Sequence, residues 1–321
     1  MCTAISIFEN VNLFGRTLDW FHSFDEQVII TPQNYNLSFV DCGDMSKHYA
    51  IIGMGIERRG YPLYFDAFNE KGLSVAGLNF ADNAVYGKPV ENLKNIASYE
   101  FIPWILGQCS SVAEAAALVK KTNISDTSFG DDLPPSPLHW IIADGKSSIT
   151  VEPLLDGIKI YENKIGVLTN NPPFDFHIEN IKKYMALSPE QPENAFSKGF
   201  PLKPNSFGFG ALGLPGDFSS QSRFVRAAFI KENAELSKED KIYEFFKVLS
   251  SVSLVKGCVL SGGEREYTVY SSCHDIGGGI YYYNVYGSNQ INAVSIKNAD
   301  TKSAKLLVYE TENAFKINFL N

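Results

Sequence analysis

The residues best suited to chemistry lie at the start of this chain. Cys2 follows Met1 directly, and Arg16 and Asp19 occur shortly afterwards in an otherwise apolar segment. Removal of the initiator methionine would leave one residue carrying both a thiol nucleophile and an α-amine able to accept its proton. These features suggest catalysis by an N-terminal cysteine, although a cysteine near a terminus is more often incidental.

Arg16 and Asp19 allow two interpretations. A buried charge is costly unless it is paired, so two charges in an apolar strand need an explanation. By spacing alone, a solvent-facing Arg16 and a turn-forming Asp19 are the simpler reading. In the functional interpretation, Asp19 holds the terminal ammonium and Arg16 favours the thiolate of Cys2.

The elements that would position these residues are mainly strands. Residues 3–8 and 13–20 predict a hairpin around the turn 9–12, and residues 64–69 and 73–80 predict a second hairpin. Further strands are predicted up to residue 169 and again after residue 266. Antiparallel sheets are the natural arrangement for such segments.

Two pairs of helices interrupt the strands. The first pair is predicted near residues 98–106 and 111–121, with Ser111 and Glu114 as a capping box. The second is predicted near residues 221–231 and 238–250, with Ser237 as an N-cap. This order predicts an α+β fold in which segregated helices cover antiparallel sheets.

Composition narrows the range of functions. The 321 residues are 45% hydrophobic and 20% charged, with a net charge of −8, which argues against nucleic-acid partners and anionic membrane surfaces. The five cysteines are scattered without C-x-x-C spacing, and the five histidines show no metal-binding pattern. We therefore expect a cytoplasmic protein with no membrane span, disulfide framework or metal site.

Several segments resemble the choloylglycine hydrolase family, which contains bile salt hydrolases and penicillin V acylases. They occur in family order along nearly the whole chain: MCTAISIF, LFGRTLDW, FNEKGLSVAGLNF, GVLTNNPPFDFH, LGLPGDFSSQSRF and IYYYNVYGSNQINAV. The resemblance implies one N-terminal-nucleophile (Ntn) hydrolase domain over residues 1–321, folded as an αββα sandwich. It also implies a homotetramer.

The resemblance assigns catalytic roles by position. Cys2 matches the nucleophile, and the other matches are Arg16, Asp19, Asn79, Asn170 and Arg223. Asn171 and Arg226 are neighbouring alternatives, but Asn170 and Arg223 take the motif positions.

The implied chemistry is amide hydrolysis without a cofactor. The α-amine of Cys2 acts as the base, since such amines titrate near pH 7.7–8.0. Asn79 and Asn170 bind the tetrahedral oxyanion, and water then hydrolyses a thioester.

Five apolar residues and Asn79 bear on the class of substrate. The residues matching the family's bile-acid pocket are Leu18, Phe65, Phe129, Leu133 and Leu138. They suit a steroid face or a phenoxyacetyl group. Asn79 favours bile salt hydrolases, because penicillin V acylases often carry Tyr there. The alternatives are an acylase or other N-acyl amidase, and a protein that binds amphipathic acids without cleaving them.

Overall fold

The computed structural model describes residues 1–8 and 11–321. The strands are β1 (Cys2–Ile7), β2 (Leu13–Trp20), β3 (Gln27–Thr31), β4 (Leu37–Phe39), β5 (Gly43–Met45), β6 (Ile51–Arg58), β7 (Tyr61–Asn69), β8 (Ser74–Asn79), β9 (Lys94–Ala97), β10 (Thr122–Ser125), β11 (Leu138–Ala143), β12 (Ser148–Leu154), β13 (Gly157–Glu162), β14 (Val167–Leu168), β15 (Val259–Ser261), β16 (Glu264–Asp275), β17 (Ile280–Val285), β18 (Asn292–Ser295) and β19 (Leu307–Glu310). The helices are α1 (Phe101–Gln108), α2 (Val112–Val119), α3 (Phe174–Ile181), α4 (Ser220–Asn233) and α5 (Lys241–Ser250).

Two large antiparallel sheets form the centre of the molecule. The first has the order β14-β1-β2-β16-β17-β18, with β15 paired to β16. The second has the order β13-β12-β11-β8-β7-β6-β3-β19. In the first sheet, β1 and β2 form the predicted hairpin, and β16 pairs with β2 from more than two hundred residues away. The N-terminal hairpin is therefore enclosed by strands from the distant part of the chain.

Helices cover the outer face of each sheet. On the first sheet, Phe224 of α4 and Phe245 of α5 share a buried cluster with β1 residues, and the Phe245 ring lies against Gly15 of β2. On the second, Phe101 of α1 stacks on Trp140 with ring centroids 4.1 Å apart. Between the sheets lies an apolar layer that includes Leu18, Val28, Ile52, Phe68 and Tyr270. These layers form the predicted αββα sandwich.

The observed elements correct some local predictions. Helix α3 was not predicted, because the two prolines before it are a turn signal. Helix α5 begins at Lys241 with Asp240 as its N-cap, and Ser237 instead accepts the backbone N–H of Asp240.

Helix α2 begins as expected, since the hydroxyl of Ser111 accepts the N–H of Glu114. The Glu114 carboxylate, however, accepts the N–H of Ser110 rather than that of Ser111. In the predicted 9–12 turn, Glu9 and Asn10 lie outside the described residues. Across the described ranges, no helix has the length and apolar character needed to cross a membrane.

Candidate active site

Cys2 is the first residue of β1 and is buried opposite Leu18 of β2. Its backbone N–H donates to the side-chain Oδ1 of Asn170 at 2.8 Å. Arg223 of α4 donates from Nη2 to the same oxygen at 2.7 Å, and its Nη1 donates to the carbonyl oxygen of Cys2. Nη1 also donates to the hydroxyl of Thr3 at 2.7 Å. Asn170 and Arg223 therefore fix the first residues of β1 by direct contact.

The orientation of the Asn170 amide follows from its partners. Oδ1 faces two donors, from Cys2 and Arg223, whereas Nδ2 donates to the backbone oxygen of Asn79 at 2.8 Å. The opposite orientation would put donor against donor and acceptor against acceptor. Asn170 consequently joins β1, α4 and the end of β8.

Two buried histidines hold the backbone around Asn170. His139 lies 2.9 Å from the Thr169 carbonyl through Nε2 and 2.9 Å from the Glu152 carboxylate through Nδ1. His177 donates from Nε2 to the Asn170 carbonyl at 3.0 Å. Burial lowers the pKa of His177 to about 4, so its ring is neutral near pH 7. Successive carbonyls are thus hydrogen-bonded to rigid imidazoles.

Arg16 lies on β2 with 1% of its surface exposed. It donates to the carbonyls of Thr17 at 3.2 Å and Phe65 at 3.1 Å, and also to that of Gly77. Burial opposes its charge, but nearby Cys2 and other acidic groups raise its pKa above the ordinary arginine value. The solvent-facing interpretation of Arg16 is wrong, and a permanent positive charge lies beside the thiol.

Asp19 is also fully buried and does not form a turn. Its Oδ1 accepts a 2.6 Å hydrogen bond from Thr268. Burial raises the pKa of this carboxyl, while the terminal ammonium, Arg223 and the Thr268 hydrogen bond oppose that rise. The ammonium of Met1 donates to the Asp19 carbonyl at 2.9 Å and contacts the carboxylate of Glu266. Burial lowers the pKa of the Met1 amine, while the nearby Cys2 and Asp19 oppose that shift.

The structure separates the two pairs of neighbouring candidates. The side chain of Asn171 turns away from Cys2 and donates to the carbonyl of Ala81. Arg226 donates to the carbonyls of Pro215 and Ser251, each at 2.7 Å. Of each pair, Asn170 and Arg223 are the members that contact Cys2.

An apolar cavity of about 220 Å³ adjoins Cys2. Its wall includes three residues of the predicted pocket, Leu18, Phe65 and Leu138, together with Asn79. Phe129 and Leu133 lie outside this wall, paired with each other in a loop whose Phe129 contacts Tyr61 and Tyr99.

The cavity wall also contains residues that sequence reasoning missed. Trp20, Phe24 and Tyr64 line it, and the Phe24 ring lies 5.3 Å from that of Phe65. The cluster of aromatic residues directly after Asp19 was the available signal. In the described part of the chain, no group of three or more His, Cys, Asp or Glu is arranged to hold a metal ion.

Structural comparison supports the fold class first. The crystal structure of the C2A mutant of conjugated bile acid hydrolase from Clostridium perfringens superposes with a TM-score of 0.92, at 36% identity over 100% of both chains. Penicillin V acylase from Agrobacterium tumefaciens gives a TM-score of 0.77 at 17% identity, covering 97% of this chain and 91% of the acylase, a likeness of fold alone. The molecule has the αββα fold of the Ntn hydrolases.

Sequence comparison then identifies the family. Residues 2–309 match the linear amide C–N hydrolases, choloylglycine hydrolase family. The bile salt hydrolase/transferase of Lactiplantibacillus plantarum is 47% identical over 96% of both chains. The conjugated bile acid hydrolase of Lactobacillus acidophilus is 37% identical over 96% of this chain and 100% of its own. The chain belongs to the choloylglycine hydrolase family and is a linear amide C–N hydrolase.

Proposed function

We propose that this chain hydrolyses the amide bond of glycine- or taurine-conjugated bile acids through Cys2. The observation that carries the proposal is the position of Cys2, held by Asn170 and Arg223 beside an apolar cavity. Relatives named for bile salt hydrolysis, 36–47% identical over nearly the full chain, support the substrate class.

The catalytic cycle begins once Met1 has been removed. The α-amine of Cys2 takes the thiol proton, and the thiolate attacks the amide carbonyl. Arg16 stabilises the thiolate, while Asn79 and Asn170 donate to the oxyanion. The amine then gives its proton to the leaving nitrogen, so glycine or taurine departs and a thioester remains. Water hydrolyses the thioester, which releases the bile acid and restores the thiol.

Asn170 has a second role in this proposal. Its Oδ1 accepts the N–H of Cys2, so it would accept an N–H of the free amine in the processed chain. That hydrogen bond would direct the amine's lone pair towards the thiol. Asp19 supplies a negative charge on the same side, in keeping with a role in holding the ammonium form.

The substrate sits with its apolar face against the cavity wall. Leu18, Phe65 and Leu138 provide apolar contacts, and Trp20 and Phe24 extend that surface. Phe129 and Leu133 would contact only a part of the substrate that extends beyond this wall. A flat steroid fits such an aliphatic and aromatic surface, because burial of apolar area drives its binding.

A substrate panel tests this function. Protein whose N-terminus is confirmed by mass spectrometry is assayed with glycocholate, taurocholate and penicillin V, with Cys2→Ala as the inactive control. We expect turnover of both bile salts, faster than that of penicillin V. Turnover of penicillin V alone would establish the acylase alternative. Binding without cleavage by processed protein would establish the non-enzymatic alternative.

Removal of Met1 is part of the proposal. In a chain that keeps Met1, the nitrogen of Cys2 belongs to a peptide bond and cannot act as a base. We expect protein that retains Met1 to be inactive, and the activity of partly processed batches to follow the processed fraction measured by mass.

We further infer that the chain is a single domain over residues 1–321 and forms a homo-oligomer, a tetramer by family resemblance. Exposed apolar side chains support association, since a monomer rarely leaves so many in one segment. They occur at Met185, Phe196, Phe200, Leu202, Phe207 and Leu212. Light scattering should give about four times the chain mass of 35.6 kDa. The five unpaired cysteines are in keeping with a reducing cytoplasm.

A further inference from the structure

Thr268 of β16 lies directly opposite Asp19 of β2. Its Oγ1 donates to Asp19 Oδ1 at 2.6 Å and accepts the backbone N–H of Leu254 at 2.7 Å. The N–H of Thr268 in turn donates to the Leu254 carbonyl at 3.2 Å. Leu254, which follows α5, thus holds both the side chain and the backbone of Thr268.

These contacts determine the direction of the Thr268 hydroxyl proton. A hydroxyl has one donor, and an ionised carboxylate can only accept. Because the Leu254 N–H already points at Oγ1, the proton of that oxygen is directed to Asp19. A donor of this kind stabilises the charged form of a carboxyl group.

Asp19 depends on this donor because it is fully buried. The charged groups that face it are Arg16 on its own strand, Arg223 from α4 and the terminal ammonium of Met1, whose place the α-amine of Cys2 takes as chain terminus after processing. Glu266, on β16 with Thr268, contacts the Met1 ammonium and is the other carboxylate near Asp19. Thr17 contributes only a long contact of 3.4 Å to Oδ2. Thr268 makes the shorter of these two side-chain hydrogen bonds.

A β-bulge produces this alignment. The register of β16 against β2 shifts between Thr268 and Tyr270, so Thr268 pairs with Asp19 whereas Tyr270 pairs with Leu18. Bulges commonly redirect side chains next to active sites. The bulge brings the Thr268 hydroxyl to the carboxylate of Asp19, and Thr268 itself is not part of the cavity wall.

We infer that Thr268 is a positioning residue for the reaction, keeping Asp19 ionised and aimed at the α-amine of Cys2. The inference rests on the proposed hydrolysis through Cys2. In this inference, Thr268 affects the reaction only through Asp19 and does not contact the substrate.

The test compares the pH dependence of kcat/KM for bile-salt hydrolysis in Thr268→Val and Thr268→Ser. Valine keeps the shape of threonine without the donor, and serine keeps the donor. Thr150→Val is the matched control, because Thr150 is also a buried threonine, lies in β12 of the other sheet and accepts a 3.0 Å hydrogen bond from Asn163. Rates are divided by the concentration of chains that lack Met1, measured by mass spectrometry.

We expect Thr268→Val to lower kcat/KM about tenfold near pH 7 and to move its acid limb upward by roughly one pH unit. Thr268→Ser should stay within about threefold of the parent, and Thr150→Val should keep the parent profile. If Thr268→Val does not fold, Thr268→Ala serves in its place.

A Thr268→Val profile that coincides with the parent would overturn the inference while leaving the function intact. A processed parent protein without bile-salt turnover would instead overturn the proposed function.

Discussion

The backbone nitrogen of Cys2 lies 2.8 Å from the side-chain oxygen of Asn170, 168 residues later in the chain. Arg223 donates to the same oxygen at 2.7 Å, so one amide links β1 to α4. The Asn170 carbonyl is itself held by His177 at 3.0 Å. The position of the proposed nucleophile therefore depends on a loop that is rigid because its own backbone is hydrogen-bonded to buried side chains.

Asn170→Ala should lower kcat by about 100- to 1,000-fold, because it removes both an oxyanion donor and the acceptor for the Cys2 amine. KM should change far less, since the apolar cavity wall remains. Asn171→Ala is the matched control, as that side chain contacts Ala81 instead. Steady-state kinetics on processed protein checks this, and equal losses in both variants would contradict it.

Replacing Arg223 should reduce activity, whereas replacing Arg226 should reduce stability. Arg223→Met should abolish most activity, because Arg223 holds Cys2 and Asn170. Arg226→Met should retain kcat while lowering the free energy of unfolding by roughly 1.5–3 kcal/mol, the usual cost of losing hydrogen bonds from a charged group. Urea denaturation and kinetics on both variants separate these effects. A catalytic loss confined to Arg226→Met would reverse the assignment.

Phe65→Ala should raise KM roughly tenfold, because Phe65 contributes an aromatic face to the cavity wall. Phe129→Ala should leave KM within about threefold of the parent and reduce stability, since Phe129 packs on Tyr61 and Tyr99. Comparison of KM for glycocholate in the two variants distinguishes the residues. A larger increase in Phe129→Ala would show that its loop reaches the substrate.

The free energy of unfolding should fall in acid because His177 is buried in its neutral form. Burial lowers its pKa from 6.5 to about 4, so between these values the unfolded chain binds a proton that the folded chain does not. The contribution is fully present above pH 6.5 and is lost as pH falls towards 4. From pH 7 to pH 4.5 this loss amounts to about 2–3 kcal/mol.

His177→Gln tests that prediction, because glutamine offers an amide donor to the Asn170 carbonyl but does not titrate in this range. Urea denaturation at pH 7 and pH 4.5 gives the two unfolding free energies for each protein. The parent should lose about 2–3 kcal/mol more than His177→Gln over this interval. An identical loss in both proteins would assign the acid sensitivity to other groups.

Local patterns were sufficient for part of this structure. Strand β2 spans the predicted residues 13–20, and Ser111 caps α2 as expected. Alternating apolar residues and a capping hydroxyl act within a few residues, so sequence alone reveals them. Helix α3 was missed because the preceding prolines signal a turn, whereas its Phe174 and His177 are buried by packing on the rest of the fold.

The sequence by itself indicated the family, the proposed nucleophile and the motif positions of the proposed catalytic residues. It left open whether Arg16 and Asp19 were buried, and it gave no sign of Thr268. Only the tertiary structure decided these points. Packing between the sheets buries Arg16 and Asp19, and the register of β16 against β2 places Thr268 opposite Asp19. Such a register depends on packing between strands some 250 residues apart, which no local pattern records.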